Sequence, residues 1–158
     1  MSKKIKFLLD VRVIIPLILI VILVIIFYPD TKSKFYLDDK YYNDVEGAEG
    51  NFIEVSTLPK GTYLVYVYAN VCIFPSPCDK VFKEVMDKYG IDMLEISYDD
   101  LKKTKYHDKV LYAPSVMIIY KGTLKAYLDA ESDEDLEKYQ DASKFEEWLS
   151  QYVFLWKW

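Results

Sequence analysis

The sequence predicts an α/β chain: a mixed sheet flanked by helices, preceded by one N-terminal transmembrane helix. Three observations predict it. An uncharged apolar block, VIIPLILIVILVIIFY, runs from Val13 to Tyr28. Tyr63 to Ala69 reads YLVYVYA, the β-branched and aromatic pattern of a central strand buried on both faces. Around it, strand and helix patterns follow in the order β-β-α-β-α-β-β-α. That order implies parallel pairing early and antiparallel pairing late.

The anchor is expected at residues 11–28. Counting from Val11 and tolerating Arg12, its 18 residues rise about 27 Å as a helix, close to the hydrocarbon thickness of a bilayer. Pro16 lies near the start, where a missing N–H costs least. A buried core helix of this length would show a polar face, and this segment is apolar all round. A cleaved signal peptide would have a shorter apolar core and small residues before the cut; here the core ends Ile25-Ile26-Phe27-Tyr28-Pro29. Lys3, Lys4, Lys6 and Arg12 precede the segment against Asp10 alone, although Lys32 and Lys34 follow it. The positive flank places residues 1–10 in the cytoplasm and the C-terminal domain outside, in a single-pass cell-membrane protein. Membrane lipid is therefore an expected partner through residues 11–28, with Tyr28 in the interfacial aromatic belt.

Charge separates the two parts. The whole chain carries 20 basic and 25 acidic side chains, a net charge of −5. Setting aside Lys3, Lys4, Lys6, Arg12 and Asp10 leaves 16 basic and 24 acidic, so the remainder carries about −8. Such a surface repels phosphate backbones, and no nucleic-acid partner is expected. Two cysteines and one histidine do not make a zinc site, so neither a metal nor another cofactor is expected.

Residues 29–50 are polar, Asp- and Tyr-rich and weakly periodic, and read as a juxtamembrane linker. The domain proper is expected over 51–158. Phe52 to Val55 is a short strand, ended by Pro59-Lys60-Gly61. Ser76 at N-cap, Pro77 at the first helical position and Asp79 beyond it start a helix. It should run to about Tyr89 with Val81, Phe82, Val85 and Met86 on its apolar face, and Gly90 should stop it. Met93 to Ser97 is a strand, and Tyr98 to Val110 a polar, partly helical stretch in which His107 is a solvated residue. Val116 to Tyr120 and Leu124 to Leu128 form a hairpin through Lys121-Gly122. Asp129 to Asp141 is an acidic, solvated insert lacking the glycine and spacing of a calcium loop. Ser143 to Tyr152 is an amphipathic helix with Phe145, Trp148, Leu149 and Tyr152 on one face. The tail Phe154-Leu155-Trp156-Lys157-Trp158 either packs beside that helix or touches membrane or a partner.

The candidate chemistry lies where the central strand meets the first helix. Cys72 ends the strand, and Cys78 lies in the first turn of the helix. Sites of α/β folds gather in loops after the C-terminal ends of strands. A helix N-terminus carries roughly half a positive charge, which favours thiolate over thiol. Two such sulfurs can cycle between dithiol and disulfide.

With these residues in place, the sequence resembles the thioredoxin family from about Phe52 to Phe154. Tyr68-Ala69-Asn70-Val71-Cys72 resembles the family's strand end, with Val71 where Trp is usual, and Pro77-Cys78-Asp79-Lys80-Val81-Phe82 its helix start. Ala113-Pro114-Ser115-Val116-Met117-Ile118-Ile119-Tyr120-Lys121-Gly122 resembles the segment whose proline, in a cis peptide, faces the cysteines. Beyond Val71, the chain departs from the pattern in two further places. Its sulfurs are spaced Cys-x5-Cys in place of Cys-x-x-Cys, and the family's buried carboxylate falls on Tyr66. The resemblance implies a thioredoxin-like domain in which Cys72 attacks and Cys78 resolves, while Ala113 and Pro114 shape the substrate groove. Helix electrostatics instead favours Cys78 as the more acidic thiol.

Two readings of function follow. In the first, the chain is a membrane-anchored thiol–disulfide oxidoreductase acting on exported proteins or peptides that carry thiols or disulfides. Chains of this build also resemble accessory proteins of Gram-positive peptide-toxin export. In the second, the pair is a fixed disulfide, stabilising by roughly 2–3 kcal/mol. The domain is then a redox-inactive peptide-binding, accessory or immunity module holding an extended segment by strand pairing. Whether the chain is an enzyme stays open between them.

Overall fold

Near-continuous apolar runs, buried on both faces at the centre, build a five-stranded mixed sheet. Its strands and helices, in chain order, are β1 (Phe52–Glu54), β2 (Tyr63–Tyr68), α1 (Cys78–Tyr89), β3 (Met93–Ser97), α2 (Tyr98–Leu101), β4 (Ser115–Tyr120), β5 (Thr123–Tyr127), α3 (Asp133–Leu136) and α4 (Ala142–Ser150). The spatial order is β1-β3-β2-β4-β5. The pairs β1–β3 and β2–β3 are parallel, and β2–β4 and β4–β5 antiparallel. The sequence expectation of parallel pairing early and antiparallel pairing late is observed, and β2 is the central strand.

The computed structural model describes residues 14–16, 18–19, 33–43, 47–69 and 78–156. The chain divides into two units, Met1–Ser33 and Lys34–Trp158. In the first, residues 14–16 and 18–19 are helical. The rest of the anchor expected at 11–28 lies outside the described residues. Among the described residues, no helix is long and apolar enough to cross a membrane.

Within the second unit, the pleat of β2 sends Leu64, Tyr66 and Tyr68 to one face and Tyr63, Val65 and Val67 to the other. All but Tyr68 are buried. On the first face lies α1, whose stripe Cys78, Phe82, Val85 and Met86 is buried at helical spacing. Phe82 meets Tyr66 with ring centroids 5.5 Å apart and Phe145 of α4 at 4.6 Å. Gly90, at φ +59°, ends α1 in the left-handed conformation that glycine adopts without steric cost. The Asp141 carboxylate caps α4, accepting from the N–H groups of Ser143 and Lys144 at 2.7 and 3.2 Å. Toward the second face, α2 and the turns after it bury Leu101, Tyr106 and Val110.

Three stretches differ from their sequence reading. Residues 34–43, assigned to the linker, are built into the domain. Phe35 bridges Val153 in parallel and Tyr42 bridges Ile91 in antiparallel fashion, while Leu37, Tyr41 and Tyr42 are buried. The Tyr42 hydroxyl accepts from the Leu37 N–H at 3.1 Å and donates to the Phe154 carbonyl at 2.6 Å. Tyr42 satisfies its hydroxyl while burying its ring, and Tyr41 buries its ring beside Tyr63 with its hydroxyl unpaired among the described residues, so a polar-looking stretch supplies core. The insert 129–141 does carry exposed acids, yet it folds as α3 and a 3-10 turn (Glu137–Tyr139) and buries Tyr139 completely. His107, itself in the turns after α2, is half-buried and edge-on to the Tyr98 ring at 6.1 Å.

Candidate functional site

Cys78 is the first residue of α1 and is 1 % exposed. The Tyr66 side chain leaves the central strand toward the same helix, and its hydroxyl lies 3.6 Å from the Cys78 Sγ. Phe52 and Phe82 hold the Tyr66 ring at centroid distances of 5.4 and 5.5 Å. Tyr66 of the central strand thus touches Cys78 across the contact between sheet and helix. Cys72, Ser76 and Pro77 fall in 70–77, outside the described residues, so the pairing of the two sulfurs and the expected N-cap are not placed.

Pro114 opens the other side of this end of the sheet. It is buried, and the Ala113–Pro114 peptide is cis. Its carbonyl accepts a hydrogen bond from the Tyr139 hydroxyl at 3.0 Å. The next residue, Ser115, is fully buried and donates its hydroxyl to the Leu128 carbonyl at 2.6 Å. Tyr139 also packs edge-on against Phe82 at 5.8 Å. A chain of contacts therefore joins Cys78 to Tyr66, Tyr66 to Phe82, Phe82 to Tyr139 and Tyr139 to Pro114. Burial holds the Tyr139 phenol far above its ordinary pKa, and the neighbouring Asp135, Cys78 and Asp129 push the same way.

The sheet edge beside the cysteine is acidic. Glu95 pairs in register with Tyr66 on one side and Glu54 on the other, so all three side chains share the face that α1 covers. Burial raises the Glu95 pKa, and the like charges of Glu54 and Asp79 raise it further. Tyr68 is raised by burial and then by Glu54, Glu95 and Asp100. In front of Ala113, Leu111 and Tyr112 leave 52 % and 42 % of their surfaces exposed, an apolar ledge next to the proline.

Of the residues singled out by sequence, Cys78, Ala113 and Pro114 fall at one end of the sheet. Tyr139 and Glu95 were not singled out. Glu95 had a signal, a carboxylate inside the otherwise apolar MLEIS strand. Tyr139 had little, one aromatic in an acidic run.

No family model matches this chain. Among solved structures, a thioredoxin from Nicotiana alata is similar over 61 % of this chain and 94 % of that chain, at 18 % identity and a TM-score of 0.37.

Proposed function

We propose that this protein is a membrane-anchored, thioredoxin-like thiol–disulfide exchange protein, with its domain outside the cell membrane and its N-terminus in the cytoplasm. Cys72 and Cys78 are its redox pair. The observation that carries this reading is Cys78 at the start of α1, packed against a tyrosine of the central strand at the same sheet end as Pro114. With its sulfur buried, Cys78 suits the resolving role, and Cys72 is the thiol that meets substrate. In reduction of a substrate, the Cys72 thiolate attacks its disulfide and expels one substrate thiolate, forming a mixed disulfide. The Cys78 thiolate then attacks the Cys72 sulfur, releasing the second substrate thiolate and leaving the pair oxidised; two electrons move in all, and the reverse sequence oxidises. The substrate is an exported protein or peptide lying along Ala113 and Pro114, with Leu111 and Tyr112 beside it. The acidic rim of Glu54, Asp79 and Glu95 selects a cationic one.

The anchor draws on the apolar segment itself. Ile15, Ile18 and Leu19 are helical and 53 %, 53 % and 54 % exposed, aliphatic surface that lipid would cover.

A second reading is a redox-inactive module, binding or conferring immunity against a cationic peptide, with the sulfurs in a fixed bridge. The long Cys-x5-Cys loop and Tyr66 in place of a carboxylate favour it. Equilibration of the chain in glutathione buffers separates the two. A potential above roughly −270 mV marks an exchange site. A value below roughly −300 mV, or no bridge between the sulfurs, overturns the exchange reading.

A further inference from the structure

The end of the domain opposite Cys78 carries an apolar face of its own. Residues 153–156 alternate in and out: Val153 and Leu155 are 1 % and 7 % exposed, Phe154 and Trp156 are 39 % and 57 % exposed. On an ordinary solvated strand the outward positions are polar. Here they are aromatic, and the neighbouring segment repeats the choice. Phe35 pairs with Val153, and Tyr36, 43 % exposed, stacks on Phe154 with centroids 4.6 Å apart. Trp156 packs edge-on to Tyr89 at 4.7 Å, beside a groove of about 230 Å³ that Lys34 also lines.

The occupant of this face follows from where the chain enters the domain. Lys34 is six residues beyond Tyr28, the last residue of the apolar segment. Six residues, fully extended, span at most about 22 Å. A face that begins at Lys34 is thus held within that distance of any bilayer the segment spans. Tyr and Trp carry an apolar body with a polar tip, the combination that settles at the lipid headgroup level, and Lys34 adds a cation for the phosphates. We propose that Tyr36, Phe154 and Trp156, with Lys34, lie against the lipid headgroups of the membrane that holds the chain. This rests on the anchored reading above.

The consequence is orientation of the site. Tyr89 and Cys78 are the two ends of α1, whose 12 residues are about 17 Å long. Docking through the Tyr89 end directs the Cys78 end away from the bilayer, toward exported substrates. The acidic rim is at that far end, clear of anionic lipid.

The test uses the full chain in vesicles of phosphatidylcholine and phosphatidylglycerol with brominated acyl chains. Subtracting the emission of the Trp156→Phe variant isolates Trp156 from Trp148 and Trp158. The proposal expects bromination to quench the Trp156 component. It also expects that loss to shrink in a Tyr36→Ser/Phe154→Ser variant whose near-ultraviolet circular dichroism is unchanged. Failure of the chain to float with vesicles overturns the anchor and the docking together. Flotation with an unquenched Trp156 overturns the docking alone. An unquenched Trp156 whose shielding from aqueous acrylamide rises with the chain-to-lipid ratio assigns the face to a second copy, and overturns it also.

Discussion

Replacing Tyr139 by phenylalanine separates the two things this residue does. Its ring fills the space beside Phe82, and its hydroxyl serves the Pro114 carbonyl at 3.0 Å. Phenylalanine keeps the ring and deletes the hydroxyl, so no cavity opens. What remains is a buried carbonyl that loses its donor, a cost of about 1–3 kcal/mol. Truncation to alanine adds the loss of a fully buried ring, for a total of about 3–5 kcal/mol. For a domain of this size the Tyr139→Phe change should lower Tm by roughly 3–12 °C. Guanidinium unfolding followed by near-ultraviolet circular dichroism gives the comparison directly: the midpoint should fall while the slope with denaturant stays constant. A Tyr139→Phe chain within about 0.5 kcal/mol of the parent would refute the reasoning, because surface substitutions already scatter that far. It would mean that the hydroxyl adds nothing to the join between the 129–141 segment and the proline side of the site.

Phe82 is buried among Tyr66, Tyr139 and Phe145, and Phe82→Ala should cost about 3–5 kcal/mol in denaturant unfolding. Glu95→Gln should stabilise the fold near neutral pH and have no effect in strong acid, read as the Tm difference between the two chains at each pH. The sign follows from the raised Glu95 pKa. The folded chain holds this proton to higher pH than the unfolded chain does. Stability is therefore lost as pH climbs from the ordinary carboxylate range through the raised value, and glutamine removes that loss. Cys78→Ala should accumulate a mixed disulfide between Cys72 and an added disulfide peptide, visible as a mass increase on non-reducing electrophoresis, whereas Cys72→Ala should not. The opposite pattern would reverse the roles of the two thiols.

Much of the fold was legible in the sequence because its signals are local. A β-branched and aromatic run located β2, a short apolar run located β3, and the glycine after Tyr89 located the end of α1. The Lys121-Gly122 pair, both at positive φ, located the turn between β4 and β5. The site was half legible. Cys78 and Pro114 stand out because helix starts and X-Pro steps are read from neighbouring residues. Tyr66 stood out only as a departure from a pattern, and what it touches depends on where α1 packs.

The sequence by itself determined the apolar segment, the order of strands and helices, and the sign of the domain's charge. These follow from composition and from periodicities of two and 3.6 residues. Tertiary structure alone decided that β3 lies between β1 and β2, that residues 34–43 join the core, and that Tyr139 and Glu95 flank the site. Each depends on contacts between residues far apart in the chain. Tyrosine makes this chain hard to read in those places, because one side chain serves a solvated loop and a buried core equally well once its hydroxyl finds a partner.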